Sequence, residues 1–172
     1  RNYENGQLRF VGETDLNPDG SPSDARPWEV RTTEFDENGQ KLESYELRDN
    51  GVTVATLFEN GIRSARIMED RDEFGNMTDA EAWDTFIFID DDTGTLEARQ
   101  AVFDDGDVTV NLFENGQNAV RLQIDGDNDK SWYLRETLYD ETGSVSEVNT
   151  YATIDEVPTQ YDFLNDDLVF TV

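Results

Sequence analysis

Hydrophobic and polar residues alternate along the chain in short runs, and turn-forming sequences separate these runs. Many runs are rich in β-branched and aromatic side chains, as in V-T-V-A-T-L-F at 52–58, which favours extended strands. Most end at an Asp- or Asn-containing turn with glycine, which supplies the positive φ of tight hairpins. The pattern predicts strands over 7–13, 28–35, 40–48, 52–58, 62–68, 84–90, 95–103, 108–113, 117–124, 132–139 and 144–153.

Three stretches depart from this alternation. Residues 15–27 hold three of the four prolines and are predicted to form a loop. Residues 77–82 (M-T-D-A-E-A) suggest a short helical turn, and the tail D-L-V-F-T-V at 167–172 suggests a closing strand. We expect no helix of ordinary length.

An internal repeat organises the chain. Residues 49–61 (D-N-G-V-T-V-A-T-L-F-E-N-G) recur as 104–116 (D-D-G-D-V-T-V-N-L-F-E-N-G), 55 positions later, and the same offset joins Trp28 to Trp83. A third unit opens at Trp132, after a loop that is six residues shorter. The predicted organisation is the end of a preceding repeat with its loop (1–27), repeat 1 (28–82), repeat 2 (83–131), and a partial repeat 3 with a closing strand (132–172), all in one continuous domain.

The predicted fold is therefore all-β: an antiparallel meander built from four-strand repeats of about 55 residues. A propeller blade also has four strands, but a closed propeller needs about four blades or more, and this chain holds little more than three units. An elongated sheet is preferred, with propeller-like blades as the alternative. Because the first residues fall in the middle of a repeat, we expect the chain to be a fragment of a longer protein.

Three turns carry a resemblance to a known class of repeats. Tyr3-Glu4-Asn5-Gly6, Phe35-Asp36-Glu37-Asn38-Gly39 and Tyr139-Asp140-Glu141-Thr142-Gly143 resemble the aromatic-Asp-x-x-Gly turns of YD/Rhs-type and related antiparallel β-hairpin repeat proteins. The resemblance is confined to the turns, and the repeats of those families are shorter, near a single hairpin. It implies a hairpin array of the kind often found in secreted or surface proteins.

The charge of the chain restricts its partners. Forty acidic residues face thirteen basic ones, which gives a net charge of −27 and a surface that repels nucleic acid. Three explanations compete: a solvated surface suited to salty surroundings, calcium loading, and an acidic mimic of nucleic acid. The chain lacks cysteine and histidine, which excludes disulfides, thiolate zinc sites and an imidazole base. The sequence shows neither a signal peptide nor an apolar run of the roughly 18 residues that a membrane helix needs.

The loop that closes each unit is the best candidate for chemistry. The first loop, D-L-N-P-D-G at 15–20, has the spacing that places alternate oxygen ligands around a hard cation, and two later loops repeat it in part. Calcium is the predicted cofactor, although aspartate, asparagine and glycine also favour ordinary turns. The predicted ligands are Asp15, Asn17, Asp19, Asp70, Asp72, Asp125, Asp127 and Asp129.

Two other sets of residues recur with the repeat. Trp28, Trp83 and Trp132 open the three units and are predicted to be buried anchors, with a sugar-stacking row as the alternative. Arg66 and Arg121 follow equivalent turns, and we expect them to pair with carboxylates on neighbouring strands.

These observations favour a protein that is not an enzyme, because no nucleophile elbow, phosphate loop or dinucleotide motif occurs in the chain. The predicted function is an extracellular or cell-surface structural or adhesive module, whose partners are neighbouring repeats or subunits of a larger assembly. The first alternative is a carbohydrate- or protein-binding domain with surface glycans or proteins as partners. The second is an acidic inhibitor that mimics nucleic acid. We expect neither nucleic-acid binding nor membrane insertion.

Overall fold

The computed structural model describes residues 1–72 and 74–161, which form one antiparallel sheet with its twelve strands in sequence order. A 3₁₀ helix (Ile154–Glu156) follows the last strand. The strands are β1 (Asn2–Glu4), β2 (Gln7–Thr14), β3 (Trp28–Phe35), β4 (Lys41–Arg48), β5 (Val52–Glu59), β6 (Ile62–Asp70), β7 (Trp83–Asp90), β8 (Leu96–Phe103), β9 (Val108–Glu114), β10 (Gln117–Ile124), β11 (Leu134–Tyr139) and β12 (Val145–Tyr151).

The predicted meander is confirmed, because every strand pairs with the next one in the chain. The turn sequences explain this order. At the β5–β6 turn, Asn60 and Gly61 both have positive φ (51° and 79°), as a two-residue type I′ hairpin requires. The other predicted turn glycines also have positive φ: Gly39, Gly51, Gly94, Gly106 and Gly116.

The structure differs from the predictions at the N-terminal end and in one loop. Tyr3 and Glu4, predicted as part of a turn, belong to the short strand β1. The helical turn predicted over 77–82 is wrong, because Met77 forms a bridge to Arg71, the Thr78 N–H donates to the Asp70 carbonyl, and residues 79–82 form bends rather than a helix. The predicted closing strand at 167–172 lies outside the described residues.

Strands of this sheet pack mainly against the strands that precede and follow them. The sheet is not closed, so the elongated arrangement is correct and the propeller alternative is not. The β3–β6 unit and the β7–β10 unit follow the same order of strands, as the 55-residue offset predicts. Both units also have a bulge after the Glu-Asn-Gly turn, at Ser64 and at Ala119.

The register divides the side chains between two faces of contrasting chemistry. Residues directly opposite each other on neighbouring strands share a face. On one face, which we call the apolar face, Ile67 lies opposite Ile87 and Val110 lies opposite Leu122. We call the other the arginine face, because seven of the eleven arginines project from it: Arg31, Arg48, Arg63, Arg66, Arg99, Arg121 and Arg135.

The apolar face is covered at the β9–β12 end by the segment that follows β12. Tyr161 packs there against buried Val110, Leu122 and Leu134. The Tyr161 hydroxyl donates to the buried carboxylate of Glu136, and burial raises the pKa of Tyr161 to about 12. Val157 packs on the same cluster. No helix among residues 1–72 and 74–161 is long and apolar enough to cross a membrane.

The three tryptophans are not equally buried. Trp28 is 6% exposed, in line with its predicted role as an anchor, whereas Trp83 and Trp132 are only partly buried. A cation two residues earlier lies near the ring in two units, with Arg26 at 5.0 Å from the Trp28 centroid and Lys130 at 6.0 Å from the Trp132 centroid. In the second unit Glu81 has this place and the Trp83 ring instead contacts Phe86, edge to face, at 4.8 Å. The three tryptophans therefore have equivalent positions in their units, but their rings lie in different environments.

This difference predicts unequal costs of removing the indoles. Trp28→Ala should lower the free energy of unfolding by about 3–5 kcal/mol, the usual cost of deleting a large buried aromatic side chain. Trp132→Ala should cost distinctly less, because its ring is already partly in water. Urea unfolding followed by circular dichroism would measure both, and equal losses would contradict the anchoring role of Trp28.

Candidate metal centre and loop closures

The three loops predicted to bind calcium share one structural feature, an aspartate that closes the loop. Asp15 follows β2, Asp70 ends β6 and Asp125 follows β10. Each carboxylate accepts the backbone N–H of the residue two before the tryptophan. The N–H donors are Arg26 (2.9 Å), Glu81 (2.9 Å) and Lys130 (3.1 Å).

This contact tolerates loops of different length. The first two closures span eleven residues, whereas the third spans five, which reflects the shorter loop before Trp132. Because each aspartate binds a backbone group, the closure does not depend on the side chain at the other end. The 55-residue offset of these aspartates was visible in the sequence, but their shared partner was not.

Asp70 has the most enclosed of the three carboxylates. It is completely buried, and its Oδ1 atom has no hydrogen-bond partner within the described part of the chain. Other carboxylates lie nearby: the pKa of Asp104 is raised, first by burial and then by the charges of Asp84, Asp79 and Asp70. The second loop therefore concentrates negative charge, but among residues 1–72 and 74–161 it does not bring three carboxylates to one point.

Several other predicted ligands take part in turns. The Asp19 carboxylate accepts the Ser21 N–H (3.0 Å) and hydroxyl (2.7 Å), and the Asn17 amide donates to Ser21 Oγ (3.1 Å). Asp72 accepts the N–H groups of Phe74 and Asn76, both at 2.8 Å. These bonds hold the loops in shape without a metal ion.

The turn of Asp72 is the same as that of three hairpin aspartates, Asp36, Asp91 and Asp140, which also accept the N–H groups two and four residues ahead. The pKa of each of these four carboxyls is lowered, because hydrogen bonds favour its charged form. At Asp72 the largest contribution comes from the Asn76 side chain.

Within residues 1–72 and 74–161, three carboxylates that could hold a metal ion converge at one place. Asp107, Asp125 and Asp127 each offer an oxygen atom, and these oxygens lie within 4.8 Å of one another. Asp125 and Asp127 were predicted ligands, whereas Asp107 was not, because it belongs to the β8–β9 turn. The nearby Asp129 directs its carboxylate to Lys130 instead (2.6 Å).

A close approach of two loops creates this cluster. The Gly126 N–H donates to Asp107 Oδ1 at 3.0 Å, which ties the β10–β11 loop to the β8–β9 turn. A Cβ atom at position 126 would lie only 1.9 Å from the Gly106 carbonyl oxygen, so only glycine permits the approach. The Gly126 backbone is therefore what brings Asp107 beside the predicted ligands.

A lysine ammonium group already neutralises part of this cluster. Lys130 Nζ lies 2.8 Å from Asp107 Oδ2, 2.6 Å from Asp129 Oδ1 and 3.9 Å from Asp125 Oδ1. Its hydrogen bonds, first to Asp107 and then to Asp129, raise the pKa of Lys130. A metal ion would therefore compete with Lys130 for the same oxygens.

The carboxyls of the cluster respond differently to this environment. Although burial opposes ionisation of Asp125, the N–H groups of Lys130 and Asp129 and the bond to Asp127 lower the pKa of Asp125. The Asp129 N–H favours the charged form of Asp127, but burial and the adjacent acidic groups outweigh it and raise the pKa of Asp127. A divalent cation would relieve the repulsion that raises this pKa.

The prediction for Arg66 and Arg121 is wrong. The residues opposite Arg66 are Thr56 and Phe88, and those opposite Arg121 are Asn111 and Thr137. Neither guanidinium forms an ion pair with a carboxylate of residues 1–72 or 74–161. Arg66 instead lies over the Phe88 ring, with its Cζ atom 4.3 Å from the centroid.

The loop closure predicts a specific effect of Asp125→Ala in the presence of a chelator. The change removes the acceptor of the Asp129 and Lys130 N–H groups, so we expect a loss of about 1–3 kcal/mol in the free energy of unfolding. Asp129→Ala is the matched control, since it removes the same charge from an exposed side chain and should cost about 1 kcal/mol or less. Amide exchange at Lys130 should accelerate only in Asp125→Ala, and equal acceleration in the control would contradict the closure.

No protein-family model matches this chain, and no curated protein is significantly similar to it. Its geometry and chemistry therefore supply the basis for a functional proposal.

Proposed function

We propose that this protein is a non-enzymatic structural or adhesive module of a larger extracellular or cell-surface assembly. The observation that carries the proposal is the repeat architecture itself, in which strands pack mainly against their sequence neighbours in one open sheet. Such a sheet lengthens by adding hairpins and offers a broad surface rather than one enclosed pocket. The resemblance of its turns to hairpin repeats of secreted and surface proteins supports the same proposal.

Partners of this module would be neighbouring repeats or subunits. An open sheet has two edges, and an unpaired edge can accept a strand from another chain or repeat. The arginine face adds a second argument. A mimic of nucleic acid needs a continuous acidic surface, and this face interrupts it, which favours the structural or adhesive role.

The location of the protein tests this function directly. An antibody raised against residues 1–161 should label intact cells of the source organism, or precipitate the protein from the culture medium, before any permeabilisation. A known cytoplasmic protein serves as the control for leakage. Labelling that appears only after permeabilisation would contradict an extracellular role.

Calcium is the metal that we propose for the cluster of Asp107, Asp125 and Asp127. Hard carboxylate oxygens suit Ca²⁺, and the chain has no cysteine thiolate or histidine imidazole to favour a transition metal. The ion would bridge the β8–β9 turn and the β10–β11 loop and would displace the Lys130 ammonium group. Its role would be to stabilise the contact between two consecutive hairpins.

Thermal unfolding tests this metal site. Calcium should raise the melting temperature above that in sodium chloride of matched ionic strength, because binding to the folded state stabilises it by mass action. Asp127→Asn should remove most of this increment, and the Asp19→Asn control should retain it. Equal melting temperatures of the wild type in calcium and in matched sodium chloride would contradict calcium binding.

Removal of the competing lysine should strengthen calcium binding instead of weakening it. Lys130→Gln removes the ammonium group that occupies the carboxylates, so we expect calcium to bind several-fold more tightly than in the wild type. Isothermal titration with calcium after treatment with chelator would measure this. Unchanged or weaker binding in Lys130→Gln would show that calcium does not use this cluster.

A further inference from the structure

The positive charge of this acidic protein is concentrated on one face. The chain has a net charge of −27, yet seven of its eleven arginines share the arginine face. Many of the aspartates lie in the turns and loops instead, as at Asp36, Asp91 and Asp140. The fold therefore separates positive from negative side chains. Along the sequence the two kinds of residue are mixed, so this separation is not visible there.

A groove of about 400 Å³ lies on this face, along β3–β6. Its lining contains five cationic side chains and one carboxylate, together with two hydroxyl groups. A small-molecule site in proteins commonly has a volume of about 300–1,000 Å³, so the groove is large enough for a compact ligand. The charged and hydroxyl-bearing residues are Arg31, Lys41, Ser44, Glu46, Arg48, Thr56, Arg63 and Arg66.

Two of the five cations are paired within the protein. Arg31 Nε lies 3.4 Å from Glu46 Oε1, and Arg63 makes a two-point contact with Asp90, in which Nη2 lies 3.0 Å from Oδ1. Asp90 is buried, and the Arg63 fork faces it directly. These two arginines are held in place by their carboxylates and shape the groove.

The other three cations have no carboxylate partner among residues 1–72 and 74–161. Lys41 lies over the Phe58 ring with Nζ 5.4 Å from the centroid, and Arg66 lies over Phe88 at 4.3 Å. Arg66 Nε is shielded from solvent and has no hydrogen-bond partner within that part of the chain. Arg48 completes the set. Within that part of the chain, the groove thus holds three cations that form no ion pair, and two of them lie over aromatic rings.

The pKa of Arg66 reflects the repulsion among the cations of the groove. Burial, followed by the charges of Arg63 and Arg48, lowers the pKa of Arg66. An anion in the groove would reverse the repulsion among these cations and would accept their free N–H groups. Guanidinium groups suit this role, because their donors match the oxygen atoms of phosphate, sulfate and carboxylate groups.

We propose that this groove binds a small multivalent oxyanion ligand, one that carries two or three phosphate, sulfate or carboxylate groups. Three unpaired cations match a ligand with that number of negative charges. The Ser44 and Thr56 hydroxyl groups supply neutral donors and acceptors between them. The acidic loops around the face disfavour a long polyanion such as duplex nucleic acid, since its phosphates would extend beyond the groove.

Titration calorimetry with three probes tests this site and separates the possible chemistries. The probes are inorganic tripolyphosphate, a trisulfated disaccharide and citrate, each added to chelator-treated protein at low ionic strength. At least one should bind with 1:1 stoichiometry, and its identity distinguishes phosphate, sulfate and carboxylate ligands. Absence of saturable binding by all three probes would overturn the proposal.

A repeat-related pair of arginines provides the matched control. Arg66→Gln and Arg48→Gln should each weaken binding of the best probe by about tenfold, whereas Arg121→Gln should change it by less than threefold. Arg121 lies 55 positions after Arg66 on the same face, outside the groove lining, so its change alters the net charge equally. Equal weakening by all three changes would show diffuse attraction to the face rather than a site.

Two further measurements keep the test decisive if Arg66→Gln loses its packing on Phe88. The Arg48→Gln variant leaves that packing in place, so its comparison with Arg121→Gln decides the role of the groove. Arg66→Lys keeps the charge but not the planar fork, and we expect it to bind more tightly than Arg66→Gln and less tightly than the wild type. Binding by Arg48→Gln at wild-type strength would overturn the proposal.

Discussion

Within the described residues, only the segment after β12 adds a second layer to the sheet, at its β9–β12 end, and this constraint governs the rest of the structure. Elsewhere each strand must be covered by the side chains of its own neighbours. On the apolar face, branched residues such as Ile67 and Ile87 meet across strands. On the arginine face, long side chains lie over the sheet, as at Arg66, whose guanidinium carbon lies 4.3 Å from the centroid of the Phe88 ring. Arginine side chains therefore cover this face of the sheet as well as supplying its positive charge.

Contacts between successive hairpins also stabilise the sheet. Because strands contact mainly their sequence neighbours, the contacts between successive loops limit independent movement of the units. The aspartates that close the loops act within one loop each, through backbone N–H groups. The approach of Gly126 to Gly106 joins two successive loops, and it places Asp107 beside Asp125. The same contact that joins two hairpins thus gathers the carboxylates of the candidate metal centre.

Charge separation follows from the same architecture. The turns must be polar and tolerate special backbone angles, which favours aspartate, asparagine and glycine. The arginine face needs long side chains that cover strands, which favours arginine. A chain with a large negative net charge can therefore present a basic groove. The proposed module would meet its neighbours through strand edges and its acidic loops, and a small anion through this groove.

The sequence by itself determined the strands, the hairpin turns and the repeat, because these depend on local properties. Alternation and β-branched residues mark a strand such as 52–58, and an Asn-Gly pair adopts the positive φ of its turn wherever it occurs. Asp125 and Asp127 were found as candidate ligands because they lie close in the chain and recur with the repeat.

Only the tertiary structure decided which side chains share a face or a site. Along β6, simple alternation would place Arg63 on the same face as Ala65. The extra residue at the Ser64 bulge turns Arg63 to the arginine face, where it lines the groove. Asp107 joins the metal cluster from a different hairpin, and Arg66 meets an aromatic ring instead of a carboxylate. Register and the approach of loops fix these contacts, and both depend on pairing between segments that alternation within one strand does not specify.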